Sequence, residues 1–300
     1  MNRILQYLIQ VIVALVVLVI LSNISVAIMK QEGIINDPTK RIQTKLFTGW
    51  VDTASFNDKH FNIHNQFAKT YRSLPHSVNK FGGAQFSYTL WVKLNDTSPK
   101  NLADQVLFMQ GDTTKYAFTS TSGKNTTNHY DYVVKSPLVK FGDDAGSLVI
   151  DFNTTTNISA KAEVKSVKSR DETLRHNVFS LIPGQWVMMT FVFEDDRRRQ
   201  GYPDGISFKF YLNDVLYHSQ RFEGALRLNK GDLTVLPNST ISGGYLSDLA
   251  YYNYALEMKD IKQIAAKGIT NKRYDEFDTD PDFNRPLYLS EYNRLEINNY

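Results

Sequence analysis

From Ile4 to Met29 the chain carries no charged side chain, and no other feature restricts so strongly what it can become. About twenty apolar residues, each rising about 1.5 Å along a helix, cross the roughly 30 Å hydrocarbon layer of a bilayer. The stretch therefore predicts one membrane-spanning helix within residues 1–29, with the membrane as the partner of residues 4–29. Its purest part, Val11 to Leu21, places Val, Ile and Leu on every helical face rather than along one stripe, which argues against a core helix of a globular domain. A cleaved signal peptide is the competing reading, since Arg3 gives a positive start and Ser25-Val26-Ala27 resembles a cleavage site. The uncharged run is longer than an apolar signal centre requires, so a retained anchor is the expectation.

The remainder is long enough for one large all-β domain with extensions or for two ordinary domains. With no cysteine among the 300 residues, disulfides, zinc–thiolate centres and cysteine nucleophiles are excluded, and stability must come from packing. A net charge of +3, dispersed along the chain, lacks the concentrated basic face of a nucleic-acid binder. The dense run Arg197-Arg198-Arg199 lies between Glu194-Asp195-Asp196 and Gly201-Tyr202-Pro203-Asp204-Gly205, a context that reads as a solvated hairpin loop.

Residues 30–80 are polar and irregular, with aromatics at Phe47, Trp50, Phe56, Phe61 and Phe67, and read as a stalk that packs in part on a neighbour. From Phe81 short runs of period two alternate with Gly, Pro, Asn and Asp, the pattern of an antiparallel sandwich. Phe86, Tyr88, Leu90, Val92 and Leu94 share one face of a strand that reads as half-buried. Trp186 to Phe193 is apolar on both faces, which predicts a central strand covered on both sides. Ile206 to Leu212, the turn Asn213-Asp214 and Val215-Leu216-Tyr217 read as a hairpin. Runs at 105–109, 138–141, 148–152 and 245–252 raise the count to eight or more strands. One soluble helix is expected from about Leu256 to Lys267, with Met258, Ile261, Ile264 and Ala265 on the face toward the sandwich and Gly268 as its cap. Residues 269–300, acidic from Asp275 to Asp282, read as an extended tail.

The order of these motifs resembles the concanavalin A-like, laminin-G-type jelly rolls. The likeness is carried by Trp91-Val92-Lys93, by Trp186-Val187-Met188-Met189-Thr190-Phe191-Val192, by Phe208-Lys209-Phe210-Tyr211-Leu212-Asn213, and by Gly244 to Leu256 with Lys259-Asp260-Ile261 and Gly268 behind it. It covers residues 81–268 and implies an all-β sandwich of two antiparallel sheets. The family's hairpin has Asn-Gly where this chain has Asn213-Asp214, and Asp accepts positive φ less readily than Gly. A narrower likeness, in Ser77-Val78-Asn79 with Gly82 to Tyr88 and in Ser136 to Gly142, is to membrane-anchored versions of this domain encoded by large double-stranded DNA viruses of algae and protists. It implies a virion component, a minor capsid or inner-membrane protein with capsid proteins as partners.

Glycosidases on this fold carry paired carboxylates on one strand face. Here Glu276-Phe277-Asp278 lies in the tail, Glu194-Asp195-Asp196 reads as a loop run and Asp143-Asp144 precedes a turn at Ala145-Gly146, so no enzyme and no catalytic residue is expected. His60 and His64 have a ligand-like spacing without a third ligand nearby. The family resemblance implies a candidate calcium site at one rim, with Asp143, Asp144 and Asn213 as its oxygen donors; no other cofactor is expected. Asn95, Asn125, Asn153, Asn157 and Asn238 each open an Asn-x-Ser/Thr acceptor pattern. Lys30, Lys40, Arg41 and Lys45 outnumber Arg3, which by the positive-inside bias favours a cytoplasmic side for the domain. The expectation is thus a non-enzymatic, membrane-anchored interaction protein linking a membrane to a protein shell. A carbohydrate-binding surface protein is the alternative, and a glycoside hydrolase is a distant third.

Overall fold

The computed structural model describes residues 12, 13, 15–25, 40–56, 60–68, 70–78, 83–111, 116–122, 125–132, 135–142, 147–155, 160–164, 181–196, 205–228, 231–237, 241 and 243–274. Residues 12, 13 and 15–25 are helical and form α1. Its side chains Ile12, Val13, Leu15, Val16, Val17, Leu18, Val19, Ile20, Leu21 and Ile24 are all exposed, Leu18 to 65%, and the Asn23 amide donates to the Val19 carbonyl at 3.0 Å. No helix among the described residues is long and apolar enough to cross a membrane.

All strands lie in one compact unit, Arg41–Phe283. In chain order they are β1 (Gln43–Lys45), β2 (Trp50–Asp52), β3 (His60–Phe61), β4 (Gln85–Leu94), β5 (Val106–Gly111), β6 (Tyr116–Ser122), β7 (Asn125–Tyr132) and β8 (Lys135–Phe141). There follow β9 (Leu148–Phe152), β10 (Ala160–Val164), β11 (Trp186–Asp196), β12 (Gly205–Leu212), β13 (Val215–Glu223), β14 (Leu233–Val235) and β15 (Gly244–Tyr252). A short helix, α2 (Pro99–Leu102), follows β4, and α3 (Met258–Lys267) follows β15.

Two antiparallel sheets make a sandwich. The larger runs β1-β15-β4-β11-β12-β13, with β2 also on β15; the smaller runs β10-β9-β8-β5-β14-β3, and β6 pairs with β7 apart from both. The inner faces interdigitate through aromatic rings, as strand alternation requires. Phe191 on β11 meets Phe108 on β5 edge-on at 5.6 Å, Phe193 meets Phe152 on β9 at 5.4 Å, and Phe86 stacks on Phe193 at 4.8 Å. A polar link crosses this core: the Tyr88 hydroxyl donates to Gln110 Oε1. Both side chains are buried, and burial drives the Tyr88 phenol well above its ordinary pKa.

The expected half-buried strand is buried on both faces. Outward-pointing Ser87 and Thr89 of β4 are as inaccessible as inward-pointing Tyr88 and Leu90, because α3 and its approach segment lie over them. The Ser87 hydroxyl donates to the Tyr254 carbonyl at 2.9 Å and accepts from Leu256 N at 3.0 Å, tying that segment down. Ile261 is the fully buried residue of α3 and packs with Trp91, Met188, Val192, Tyr211, Ala250, Tyr252 and Leu256. This contact explains the doubly apolar sequence of β11, which sits between β4 and β12. Gly268 ends the helix at φ 71°, its N–H on the Ala265 carbonyl at 3.2 Å.

The expected stalk enters the sandwich from residue 43 on. β1 and β2 pair with β15 and β3 with β14, while Phe47, Phe56 and Phe61 are buried and Phe67 is 76% exposed. Period-two reading cannot see strands of two or three residues, but their aromatic anchors were visible. Residues 275–300, most of the expected tail, lie outside the described residues. Thr270 N donates to the Asp248 carboxylate, and Arg273 and Tyr274 are tied to Trp50 through the backbone. Glu194-Asp195-Asp196 is the end of β11 rather than a loop: the buried Asp195 carboxylate accepts Ala84 N at 3.0 Å and Leu226 N at 2.9 Å, which prolongs the strand. The turn after β12 has two residues, and Asn213 takes the positive φ of 56°. The strain of an Asn-Asp turn therefore falls on the residue that tolerates it.

Candidate functional site

The outer face of the larger sheet is only partly covered by α3, and a polar cleft of about 230 Å³ opens beside the start of that helix. Its floor is a row set by strand register: Gln85 of β4 opposite Glu194 of β11, Val192 of β11 opposite Lys209 of β12, then Tyr211. Leu256, Glu257 and Met258 form one wall and Arg41 closes the end. Gln85 donates to Glu194 Oε1 at 3.2 Å. Arg41 lies 3.4 Å from Glu257 Oε1 and 5.0 Å from the centre of the Tyr254 ring, and Lys259 lies 3.2 Å from Glu257 Oε2. Among the described residues Lys209 makes no ion pair.

Two carboxylates thus line one cleft, which the sequence reading did not foresee. The Glu257 carboxyl is held below its ordinary range by Lys259, through hydrogen bond and charge, and by Arg41. A glycosidase acid needs the opposite shift, so that it keeps its proton at neutral pH. Burial raises the Tyr211 phenol, and Tyr211 stays neutral, a donor and acceptor on the floor. The arrangement suits recognition of a small polar group through paired donors and acceptors.

Of the candidate calcium donors, Asp143 and Asp144 lie outside the described residues. Asn213 is committed locally: its Oδ1 accepts Met188 N at 2.9 Å and its own N–H donates to the Met188 carbonyl at 2.7 Å. The residue therefore ties the turn to β11, and no cluster of three or more Asp, Glu or His disposed to hold a metal occurs among the described residues. His60 lies on β3 and His64 in the turn after it, so the helical spacing that would have joined them is absent. His60 Nε2 lies 2.7 Å from Asp232 Oδ2, and the same carboxylate accepts Ile63 N at 3.0 Å, a clamp on the turn. Of the acceptor patterns, Asn153 is 2% exposed with its amide oxygen on Lys135 N, whereas Asn95 is exposed.

No family model matches this chain. No curated protein matches it either. Solved structures similar to it include the receptor binding domain of botulinum neurotoxin D, at 13% identity over 76% of this chain and 48% of that one, TM-score 0.40. The botulinum neurotoxin type G receptor binding domain is similar at 12% identity over 61% and 38%, TM-score 0.38. The binding domain of botulinum neurotoxin DC in complex with rat synaptotagmin II is similar at 14% identity over 61% and 36%, TM-score 0.35. The chain spans less than half the length of these structures, and at such scores the likeness carries nothing about what it binds. The two-sheet sandwich stands on the strand pairing described above.

Proposed function

We propose that this chain is a membrane-anchored, non-enzymatic interaction protein, in which α1 seats in a bilayer and a jelly-roll sandwich of the concanavalin A and laminin-G kind docks on neighbouring proteins. The observation that carries the reading is the exposure of α1: from Leu15 to Leu21 every residue is apolar and exposed, a surface that lipid would cover on all its faces. The cleft beside α3 is smaller than the roughly 300 Å³ of typical ligand pockets, and it suits one polar side chain of a partner. In its narrower form, resting on sequence resemblance, the protein belongs to a virion and ties an inner membrane to the capsid.

Flotation of the full chain with phosphatidylcholine vesicles tests the anchor. The wild type is expected to float and to resist a high-salt wash. A Val16→Asp, Leu18→Lys chain is expected to stay in the aqueous fraction, because each charge costs about 3 kcal/mol near the centre of a spanning helix. A wild type that leaves the vesicles with salt sinks the anchor. Crosslinking in native membranes or particles tests docking, and a sandwich that captures no protein neighbour removes that part.

A further inference from the structure

We propose that the loop from Asn62 to Arg72 is a second membrane contact, in which the Phe67 ring enters the headgroup layer of an anionic bilayer. The proposal rests on the anchor reading above, since α1 is what keeps the domain beside a bilayer. Phe67 is the most exposed large apolar side chain among the described residues, at 76%, and His64, Asn65 and Gln66 before it are exposed as well. A single exposed ring on a flexible segment needs no explanation. This one is held out by a loop whose backbone is bonded at every turn.

Arg72 N donates to the Asn62 carbonyl at 2.9 Å, which brings the two ends of the loop together in the manner of an Ω-loop. Within it, Asn62 Oδ1 accepts His64 N at 2.9 Å and Asn65 N at 2.5 Å. Asn65 Oδ1 accepts Phe67 N at 3.0 Å, and the Asn65 carbonyl accepts Ala68 N at 3.0 Å. Two successive asparagine turns thus fix the backbone on both sides of Phe67. The loop is pinned to the sandwich at each end. Asp232 accepts Ile63 N at 3.0 Å, and Arg72 Nε donates to the Leu46 carbonyl at 2.9 Å, with its guanidinium 5.6 Å from the centre of the buried Phe61 ring. The backbone cannot carry the Phe67 ring back to the core without breaking these bonds.

Two features select an anionic lipid surface. The first is charge. From Lys59 to Lys93 the chain holds Lys59, Lys69, Arg72, Lys80 and Lys93 and no carboxylate, and Lys45 of β1, next to the Leu46 that takes Arg72, is exposed. The carboxylate at the base of the loop, Asp232, is engaged by Ile63 N and by His60, whose Nε2 lies 2.7 Å from it. A cation close to an anionic leaflet strengthens attachment by about fivefold. The second feature is the setting of the ring. It stands beside His64, Asn65 and Gln66, polar side chains that headgroups and interfacial water satisfy, whereas the anchor of a protein interface sits at the centre of a dry, packed cluster. One ring in a polar collar suits shallow insertion, with the apolar body in the acyl boundary and the collar in the wet layer.

The chain has no cysteine, so Gln66→Cys gives the full chain one site for an environment-sensitive NBD fluorophore beside an intact Phe67. The labelled chain is placed in phosphatidylcholine vesicles with and without phosphatidylserine, each with and without a nitroxide-bearing lipid as quencher. The expected result with phosphatidylserine is blue-shifted emission that the nitroxide lipid quenches. The ratio of docked to free label should be at least about fivefold lower in phosphatidylcholine alone and at least about tenfold lower in Gln66→Cys, Phe67→Ser. Phe67→Ser should leave Tm unchanged, because the ring is exposed. The same label at Val215→Cys, a position 55% exposed on β13 at the opposite end of the larger sheet from β1, should stay in water. A chain that floats while its Gln66→Cys label stays in water overturns this inference and leaves the anchor standing; a chain that does not float overturns both. Equal quenching after Phe67→Ser, equal docking without phosphatidylserine, or a blue shift that nitroxide lipid does not quench, the mark of a protein contact, also overturns it.

Discussion

Replacing Ile261 by alanine tests whether α3 is seated on the sandwich as a second core. Ile261 is 0% exposed and projects from the helix onto Trp91, Met188 and Val192. The floor beneath it consists of the central strands β4 and β11, each paired on both sides, so it cannot rise into the space that three lost carbons leave. Only the helix can settle, and the cost should fall in the middle of the range for such truncations, about 3 kcal/mol. For a domain of this size that corresponds to a fall in Tm of about 6–12 °C. Thermal unfolding of the full chain in detergent, followed by tryptophan fluorescence, reads it directly, because Trp91 and Trp186 belong to the same cluster. Met258, one turn earlier and 40% exposed, supplies the contrast, and Met258→Ala should cost less than about 1 kcal/mol. If the two substitutions cost the same, or if Ile261→Ala costs less than about 1 kcal/mol, the helix is not holding the outer face.

Asp195→Asn would set an amide donor against Ala84 N or Leu226 N, which now both donate to the carboxylate; a loss of about 2 kcal/mol in urea unfolding is expected. Gly49→Ala forces a Cβ to 2.6 Å from the Lys272 carbonyl oxygen. It should cost at least about 2 kcal/mol and leave hydrogen exchange in the rest of the sheet unchanged, with faster exchange confined to the amides of Trp50 and Tyr274. Burial pushes the Tyr252 phenol up to about 12 from 10.0 and raises Tyr88 and Tyr251 as well. Each raised phenol contributes stability that is complete below pH 10 and declines as pH climbs toward the folded value. Between about pH 10 and pH 12 Tyr252 alone should remove about 3 kcal/mol, and phenolate absorbance should rise together with unfolding rather than before it.

How much of this was legible in the sequence depended on element length. β4, β11 and β15 carry nine or more residues each and show their faces through alternation, and the spacing of Ile261, Ile264 and Ala265 located α3. β1, β2, β3 and β14 have two or three residues each, too few for any period, and their pairing is set by chains far away in sequence. The polar residues Ser87 and Thr89 misled for a related reason: alternation gives the direction of a side chain, but not whether a later helix will lie over it. The cleft was invisible because Arg41, Gln85, Glu194, Lys209 and Glu257 come from five separate segments. The contact of Trp50 with Tyr245 left one trace, a tryptophan within a polar stretch, but its partner depends on the register of β15 with β2 and β4.

The short first strand also has a mechanical meaning. A load applied to the domain through residue 40 meets Arg41 and Ile42 first, which are bonded to Glu257 and Asn253, and then β1, which meets β15 through three residue pairs. These would peel in sequence, each giving way before the next is stretched. Peeling then meets Phe47, which is 0% exposed, lies 5.7 Å from Phe56, 6.3 Å from Phe61 and 5.8 Å from Tyr274, and cannot leave without drawing a ring out of the core. The domain thus combines a compliant lead of a few residues with a stop, so that gentle tension draws out the lead while the sandwich keeps its shape.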